Sequence, residues 1–116
     1  WRRWRQRHKS AGILLALKGV HEDYLHPSQC IFVGTPIYWG RENNFNVDRW
    51  LNNYSIPTLF IQKTDDPACP FLDLSNIIRE KSVKNFTLKE IPGSNHYYED
   101  MLFLKTETEK FLNLQK

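Results

Sequence analysis

Apolar positions along this chain form short continuous runs and helical stripes, separated by glycine, proline and asparagine. The first apolar segment, residues 11–25, is apolar on most sides, which is typical of a buried helix. His26-Pro27 is expected to end it, because proline disfavours helical geometry in the residue before it. Helical spacing of apolar residues predicts two further helices, over 72–81 and 100–114.

Three segments have the pattern of β-strands. Continuous apolar runs over residues 30–33 and 58–61 predict strands covered on both faces, as in parallel sheets. Residues 86–91 are more polar and alternate, which predicts a strand near the edge of the sheet. Between them, residues 37–53 are rich in aromatic residues and asparagine, and we expect a loop with a short helix over 47–51.

These helices and strands alternate along the chain. Alternation of this kind implies right-handed crossovers and a parallel sheet with helices on both faces. The predicted fold class is therefore α/β, a three-layer sandwich with a mostly parallel sheet.

Composition and charge narrow the class of protein. The chain has 116 residues, of which 41% are hydrophobic and 25% charged, as in one small globular domain. The net charge is +3, but residues 1–9 hold Arg2, Arg3, Arg5, Arg7 and Lys9 and the remainder is mildly acidic. We therefore expect a basic N-terminal arm, 1–9, and a body, 10–116. A nucleic-acid-binding domain would spread its basic residues over a folded face, so no specific nucleic-acid partner is expected.

Other features bear on location and metal binding. No apolar run approaches the roughly 18 residues of a transmembrane helix, and the basic start lacks the apolar core of a signal peptide. Cys30 and Cys69 are too few for a disulfide framework and are expected to be free thiols. His8, His21 and His26 have no metal-ligand spacing. We expect a cytoplasmic protein with no transmembrane segment and no bound metal.

Three polar residues are expected where strands end, which is where chemistry gathers in open parallel sheets. Asp66 follows the second strand, His96 follows the third, and Ser10 precedes the first helix, where an earlier strand would end. Ser10 lies in His8-Lys9-Ser10-Ala11-Gly12, which meets the Gly-x-Ser-x-Gly pattern of a nucleophile elbow at its second glycine only. Taken singly, such residues are usually a helix cap, a turn residue and a solvated loop histidine.

The chain order serine, acid, histidine resembles that of the α/β-hydrolase family. Residues 10–17 are similar to its nucleophile elbow and following helix, 56–67 to its acid-bearing strand and turn, and 92–96 to its catalytic-histidine loop. The resemblance covers the chain from Ser10 onward and only the C-terminal half of the family's domain. It implies a partial α/β-hydrolase fold over residues 10–116.

What the resemblance implies chemically is an esterase-like serine hydrolase that acts on a small acyl substrate through an acyl-enzyme intermediate, with no cofactor. Ser10 would attack the carbonyl, and His96 would take its proton and return it to the leaving group. Asp66, preferred over Asp65, would orient the imidazole. The backbone N–H of Ala11 would supply one donor of the oxyanion hole.

Tyr38 and Trp39 are candidates for an acyl-binding pocket, together with Phe45 and Trp50. The alternative for all four aromatic residues is ordinary packing. Neither their number nor their spacing separates these two interpretations.

Two features depart from the family pattern. Residues 1–9 stand where a hydrophobic strand should deliver Ser10, and burying several unpaired charges would cost several kcal/mol each. The loop that normally gives the second oxyanion donor has no counterpart. The sequence therefore predicts a catalytic half that is incomplete by itself, with an exposed sheet edge open to self-association.

A different class of function stays open. The chain could be a non-catalytic α/β-hydrolase-like binding or scaffold module. In that case its Trp/Arg arm would contact an anionic surface through charge and aromatic rings.

Overall fold

The structure is a computed structural model that describes the backbone of residues 2–114 and the side chains of residues 11–113. Helices and strands alternate over this range, as the sequence predicts. In chain order they are α1 (Arg2–His21), β1 (Cys30–Val33), α2 (Ile37–Glu42), α3 (Val47–Leu51), β2 (Thr58–Lys63), α4 (Phe71–Glu80), β3 (Phe86–Ile91) and α5 (Met101–Leu114).

The three strands form one parallel sheet in the order β1-β2-β3. Cys30 is opposite Thr58, which is opposite Phe86, so the strands begin level with one another. The carboxyl ends of all three strands therefore lie at the same end of the sheet. The predicted α/β class with a parallel sheet is confirmed, and β3 lies at a sheet edge as its alternating pattern predicts.

Helices cover both faces of the sheet. On one face, Phe32 and Phe60 pack in a large core with apolar residues of α1, α2, α3 and α4. On the other, a smaller core consists of Leu59, Ile61, Ile91, Leu104 and Phe111, the last two from α5. Successive residues of β2 thus enter different cores, which is why its sequence is a continuous apolar run.

Helix α1 differs from its prediction at both ends. It begins at Arg2, so the backbone of residues 2–9 is helical and is not a strand. The division into a basic arm, 1–9, and a body, 10–116, stays a prediction. It ends at His21, before the predicted end at residue 25. Asp23, two residues later, has a left-handed φ of 66°, a conformation that aspartate tolerates better than most residues. The side chains of residues 1–10, and with them the charges of the predicted arm, lie outside the described residues.

Two other helices depart from expectation. Helix α2 lies in a segment where the sequence predicts a loop, and its six residues are too few to show a helical period. Helix α5 begins one residue late, because Asp100 caps it: the Asp100 Oδ1 atom accepts the N–H of Phe103 at 3.0 Å. Met101, the first residue of α5, is apolar but 66% exposed.

Two further findings concern single sequence features. Cys30 and Cys69 are both free thiols, as predicted. Among the described residues, no helix is long and apolar enough to cross a bilayer.

Candidate active site

Two connecting segments leave the neighbouring strands β2 and β3 at the carboxyl end of the sheet. We call residues 64–69, after β2, the acid turn, and residues 92–100, after β3, the histidine loop. Backbone hydrogen bonds join them: the N–H of Thr64 donates to the carbonyl of Ile91 at 2.9 Å, and that of Asp65 to Gly93 at 3.0 Å. The parallel pairing of β2 and β3 thus continues past the strand ends and brings the two connections together.

Local sequence fixes Asp66 within the acid turn. Its carbonyl accepts the N–H of Cys69 at 3.1 Å, closing a β-turn with Pro67 in the second position, where the fixed φ of proline fits. Its side-chain Oδ1 atom also accepts the N–H of Ala68 at 2.8 Å, the usual Asx-turn bond. The carboxylate is fully buried and is held by the turn that carries it.

The imidazole of His96 contacts this carboxylate. His96 Nδ1 lies 2.8 Å from Asp66 Oδ2 and 3.0 Å from Oδ1. Because a carboxylate can only accept, Nδ1 carries the proton of the neutral ring, and Nε2 is then its basic atom. The His96 side chain is 29% exposed while that of Asp66 is 0% exposed, so a buried acid orients a histidine that solvent reaches.

Tyr98 gives the carboxylate a further partner. Its hydroxyl donates to Asp66 Oδ2 at 2.6 Å. A buried carboxylate is costly unless it is hydrogen-bonded, and Ala68, His96 and Tyr98 all donate to this one. Burial, and secondly the bond to Asp66, raises the pKa of Tyr98, so the hydroxyl keeps its proton. Tyr98 is not among the site residues that the sequence predicts.

Lys63, the last residue of β2, holds the histidine loop in place. Its ammonium group donates to the Asn95 side chain at 2.6 Å and to the carbonyl of Tyr97. The same group lies 5.1 Å from the centre of the Tyr98 ring, and the Lys63 backbone N–H donates to the Tyr98 hydroxyl at 2.8 Å. The loop around His96 is therefore attached to the neighbouring strand by side-chain contacts.

Gly34, directly after β1, lies against the same loop. Its φ of 72° is left-handed, and a Cβ at this position would be 2.6 Å from Tyr98 Cε1 and 3.0 Å from His96 Cε1. Only glycine combines this backbone with so close an approach. The end of β1 thus contributes to the site as well as the ends of β2 and β3.

Gln62 connects the end of β1 to the acid turn. Its buried side chain accepts the N–H of Thr35 at 2.8 Å and donates to the carbonyls of Thr35 at 3.2 Å and Cys69 at 2.7 Å. This amide, directly after the apolar run of β2, fixes the spacing between the end of β1 and the acid turn.

The structure does not place Ser10 where the sequence analysis expects it. Ser10 lies inside the continuous helix α1, whereas a nucleophile elbow requires a strand-to-helix turn. In a helix interior the N–H of Ala11 bonds to the carbonyl four residues earlier, so this backbone does not present it as an oxyanion donor. The side chain of Ser10 lies outside the described residues, and its role as nucleophile stays a prediction.

Tyr38 and Trp39 make packing contacts in α2. The Tyr38 hydroxyl donates to the Asp73 carboxylate of α4, and its N–H donates to the carbonyl of Ala68 in the acid turn at 2.9 Å. Trp39 is 42% exposed and stacks on Phe45 with ring centroids 5.6 Å apart. Contact of either residue with a substrate stays a prediction.

Among the residues that the structure describes, no group of three or more His, Cys, Asp or Glu side chains is arranged to hold a metal ion. Comparisons with protein-family models, curated proteins and solved structures find no match to this chain. A function must therefore be argued from the geometry of the site.

Proposed function

We propose that this chain is a serine hydrolase for an ester-like acyl substrate, with Ser10 as nucleophile and His96 and Asp66 as its acid–base pair. The observation that supports it is the 2.8 Å contact between His96 Nδ1 and Asp66 Oδ2, with the acid buried and the histidine partly exposed. This pair lies where the parallel strands end, the usual place for chemistry in such sheets.

The pair is suited to moving a proton twice. His96 Nε2 takes the proton of the serine hydroxyl as the oxygen attacks the substrate carbonyl, and the imidazolium then gives that proton to the leaving group. Asp66 stabilises the imidazolium, and its burial strengthens the attraction because few water molecules screen it. Water then attacks the acyl-enzyme by the same route in reverse, releasing the acid and regenerating the serine.

The finer architecture that belongs to this proposal is the C-terminal half of an α/β-hydrolase fold over residues 10–116. The level ends of β2 and β3, each followed by one member of the pair, support it. Since the helix interior does not offer the Ala11 N–H, the oxyanion donors of this proposal are unassigned. In the described part of the chain β1 pairs only with β2, which supports self-association through its other edge.

A fluorophosphonate probe tests the nucleophile. The wild-type chain should be labelled, with the adduct mapped by mass spectrometry to the peptide that contains Ser10, and Ser10→Ala should remove it. Ser94→Ala is the matched control, because Ser94 is an exposed serine of the histidine loop, and it should keep full labelling. Labelling that persists in Ser10→Ala contradicts the assignment, and absence of labelling in folded wild-type protein favours the non-catalytic scaffold.

The same probe tests the acid. Asp66→Asn keeps the shape of the side chain but removes its charge and favours the wrong imidazole tautomer, so the labelling rate should fall by about 10⁴-fold. Asp65→Asn, an exposed neighbour in the same turn, should change the rate less than about twofold. Equal rates for the two variants would exclude Asp66 as the orienting acid.

A further inference from the structure

The hydroxyl of Tyr98 lies between the end of β2 and the buried carboxylate. It accepts the backbone N–H of Lys63 at 2.8 Å and donates to Asp66 Oδ2 at 2.6 Å. Both bonds join the histidine loop to residues of β2 and the acid turn. The side chain of Tyr98 is therefore fixed at its polar end from two sides.

Two hydrogen bonds set the orientation of the Asp66 carboxylate. Oδ1 of Asp66 accepts the Ala68 N–H, and Oδ2 accepts the Tyr98 hydroxyl. Each oxygen therefore has a donor other than His96, so the plane of the carboxylate is held without help from the imidazole. Without the hydroxyl, Oδ1 alone would keep a donor other than His96, and only the imidazole would oppose rotation of the carboxylate about its last side-chain bond.

Tyr98 also contacts the other member of the pair. Its ring is perpendicular to the imidazole of His96, with an interplanar angle of 87° and centroids 5.9 Å apart. Gly34 approaches both rings from the end of β1, so neither ring can move towards that strand. Because the hydroxyl keeps its proton, as its burial dictates, it acts as a donor to Asp66 and not as an acceptor from it.

We propose that Tyr98 is a positioning residue that fixes the Asp66 carboxylate for its bond to His96. This inference rests on the proposed function for its effect on rate, but the positioning itself can be measured without activity. Removal of the hydroxyl leaves Oδ2 with His96 as its remaining described donor and leaves the Lys63 N–H without its acceptor. The His96–Asp66 hydrogen bond then changes in length or order.

The test compares Tyr98→Phe with Tyr97→Phe. Tyr97 is the adjacent residue, its side chain is half-exposed, and its contact with Lys63 uses the backbone carbonyl, which the substitution keeps. Proton NMR of protein with ¹⁵N-labelled histidine follows the Nδ1–H resonance of His96, assigned with His96→Asn. The resonance should shift or broaden in Tyr98→Phe and stay unchanged in Tyr97→Phe.

The second measurement is the rate of fluorophosphonate labelling. It should fall about tenfold in Tyr98→Phe, as for the loss of one hydrogen bond to a charged group, and stay within about twofold in Tyr97→Phe. If wild-type protein is not labelled at Ser10, the proposed function fails, while the NMR comparison still decides the role of Tyr98. An Nδ1–H resonance that Tyr98→Phe leaves unchanged overturns the positioning role.

A measurement on the wild-type protein covers the case in which Tyr98→Phe does not fold. The hydroxyl proton of Tyr98 should exchange slowly with water and show a nuclear Overhauser effect to the amide proton of Lys63. Absence of that effect in the folded protein overturns the proposal, because the hydroxyl would then not be held at this place.

Discussion

The acid turn and the histidine loop lie side by side at the carboxyl end of the sheet, but they are held in different ways. Asp66 and Cys69 of the acid turn are fully buried, and the turn is closed by its own backbone and Asx bonds. Most residues of the histidine loop are exposed, and it is held by contacts with Lys63 of β2 and with Gly34, which follows β1.

This difference predicts that the acid turn, which carries Asp66, and the histidine loop, which carries His96, differ in local stability. A short turn anchored by two buried residues opens only when the surrounding core opens, whereas an exposed loop held by a few contacts can open locally. The acid is therefore expected to keep its place under changes that displace the histidine.

The largest effect should come from Gly34→Ala. The added Cβ meets Tyr98 and His96 at the distances given above, and alanine is strained at a φ of 72°. Together, overpacking and strain should lower the free energy of unfolding by about 3 kcal/mol, as measured by urea denaturation. Amides of the histidine loop should exchange with deuterium faster, while those of the acid turn keep their relative protection.

Gly12→Ala is the matched control for that substitution. Among the described residues, and apart from its chain neighbours and the backbone of its own helix, a Cβ at Gly12 would have no heavy atom within 4 Å, and alanine is favoured over glycine inside a helix. It should therefore leave the histidine loop unchanged and raise the free energy of unfolding by up to about 1 kcal/mol. If Gly34→Ala were as stable as wild type, the close approach of β1 to the loop would be wrong.

Cys69 provides a pH test of the buried turn. Burial, with a smaller contribution from Asp66, raises the pKa of its thiol from 9.0 to about 12. Above pH 9 the unfolded chain loses this proton and the folded chain keeps it, so the free energy of unfolding falls as pH rises. The loss should be about 1 kcal/mol near pH 10, and Cys69→Ala should remove it. A matching pH dependence in both proteins would show that this thiol is not buried.

Local sequence was enough to predict much of the fold. The apolar run over 30–33 and the alternating segment over 86–91 coincide with β1 and β3, and the Asp-Pro pair marks the turn that holds Asp66. The start of α1 was missed because charge was interpreted as a separate arm. Arginine, glutamine and lysine are nonetheless good helix formers, and the helix extends through them.

Contacts between distant segments account for what could not be predicted in the site. Lys63 reaches Asn95 only because parallel pairing brings the end of β2 beside the loop after β3, and a linear sequence does not contain that register. The need for glycine at Gly34 likewise comes from rings in another connection. One weak signal in the sequence pointed to Tyr98. It is two residues after His96, and side chains two residues apart in an extended segment point to the same side.

The smallest effect should come from Lys63→Met, which removes the ammonium group that bonds Asn95 and Tyr97 but keeps the backbone N–H that bonds Tyr98. These bonds are exposed and contribute less than about 1 kcal/mol, so amide exchange in the histidine loop should rise about threefold to fivefold. Exchange of the acid-turn amides that bond within the turn should not change. Lys84→Met, at an exposed lysine before β3, should alter neither segment. Equal acceleration in both segments would mean that the turn and the loop open together, and the distinction between local and long-range attachment would be wrong.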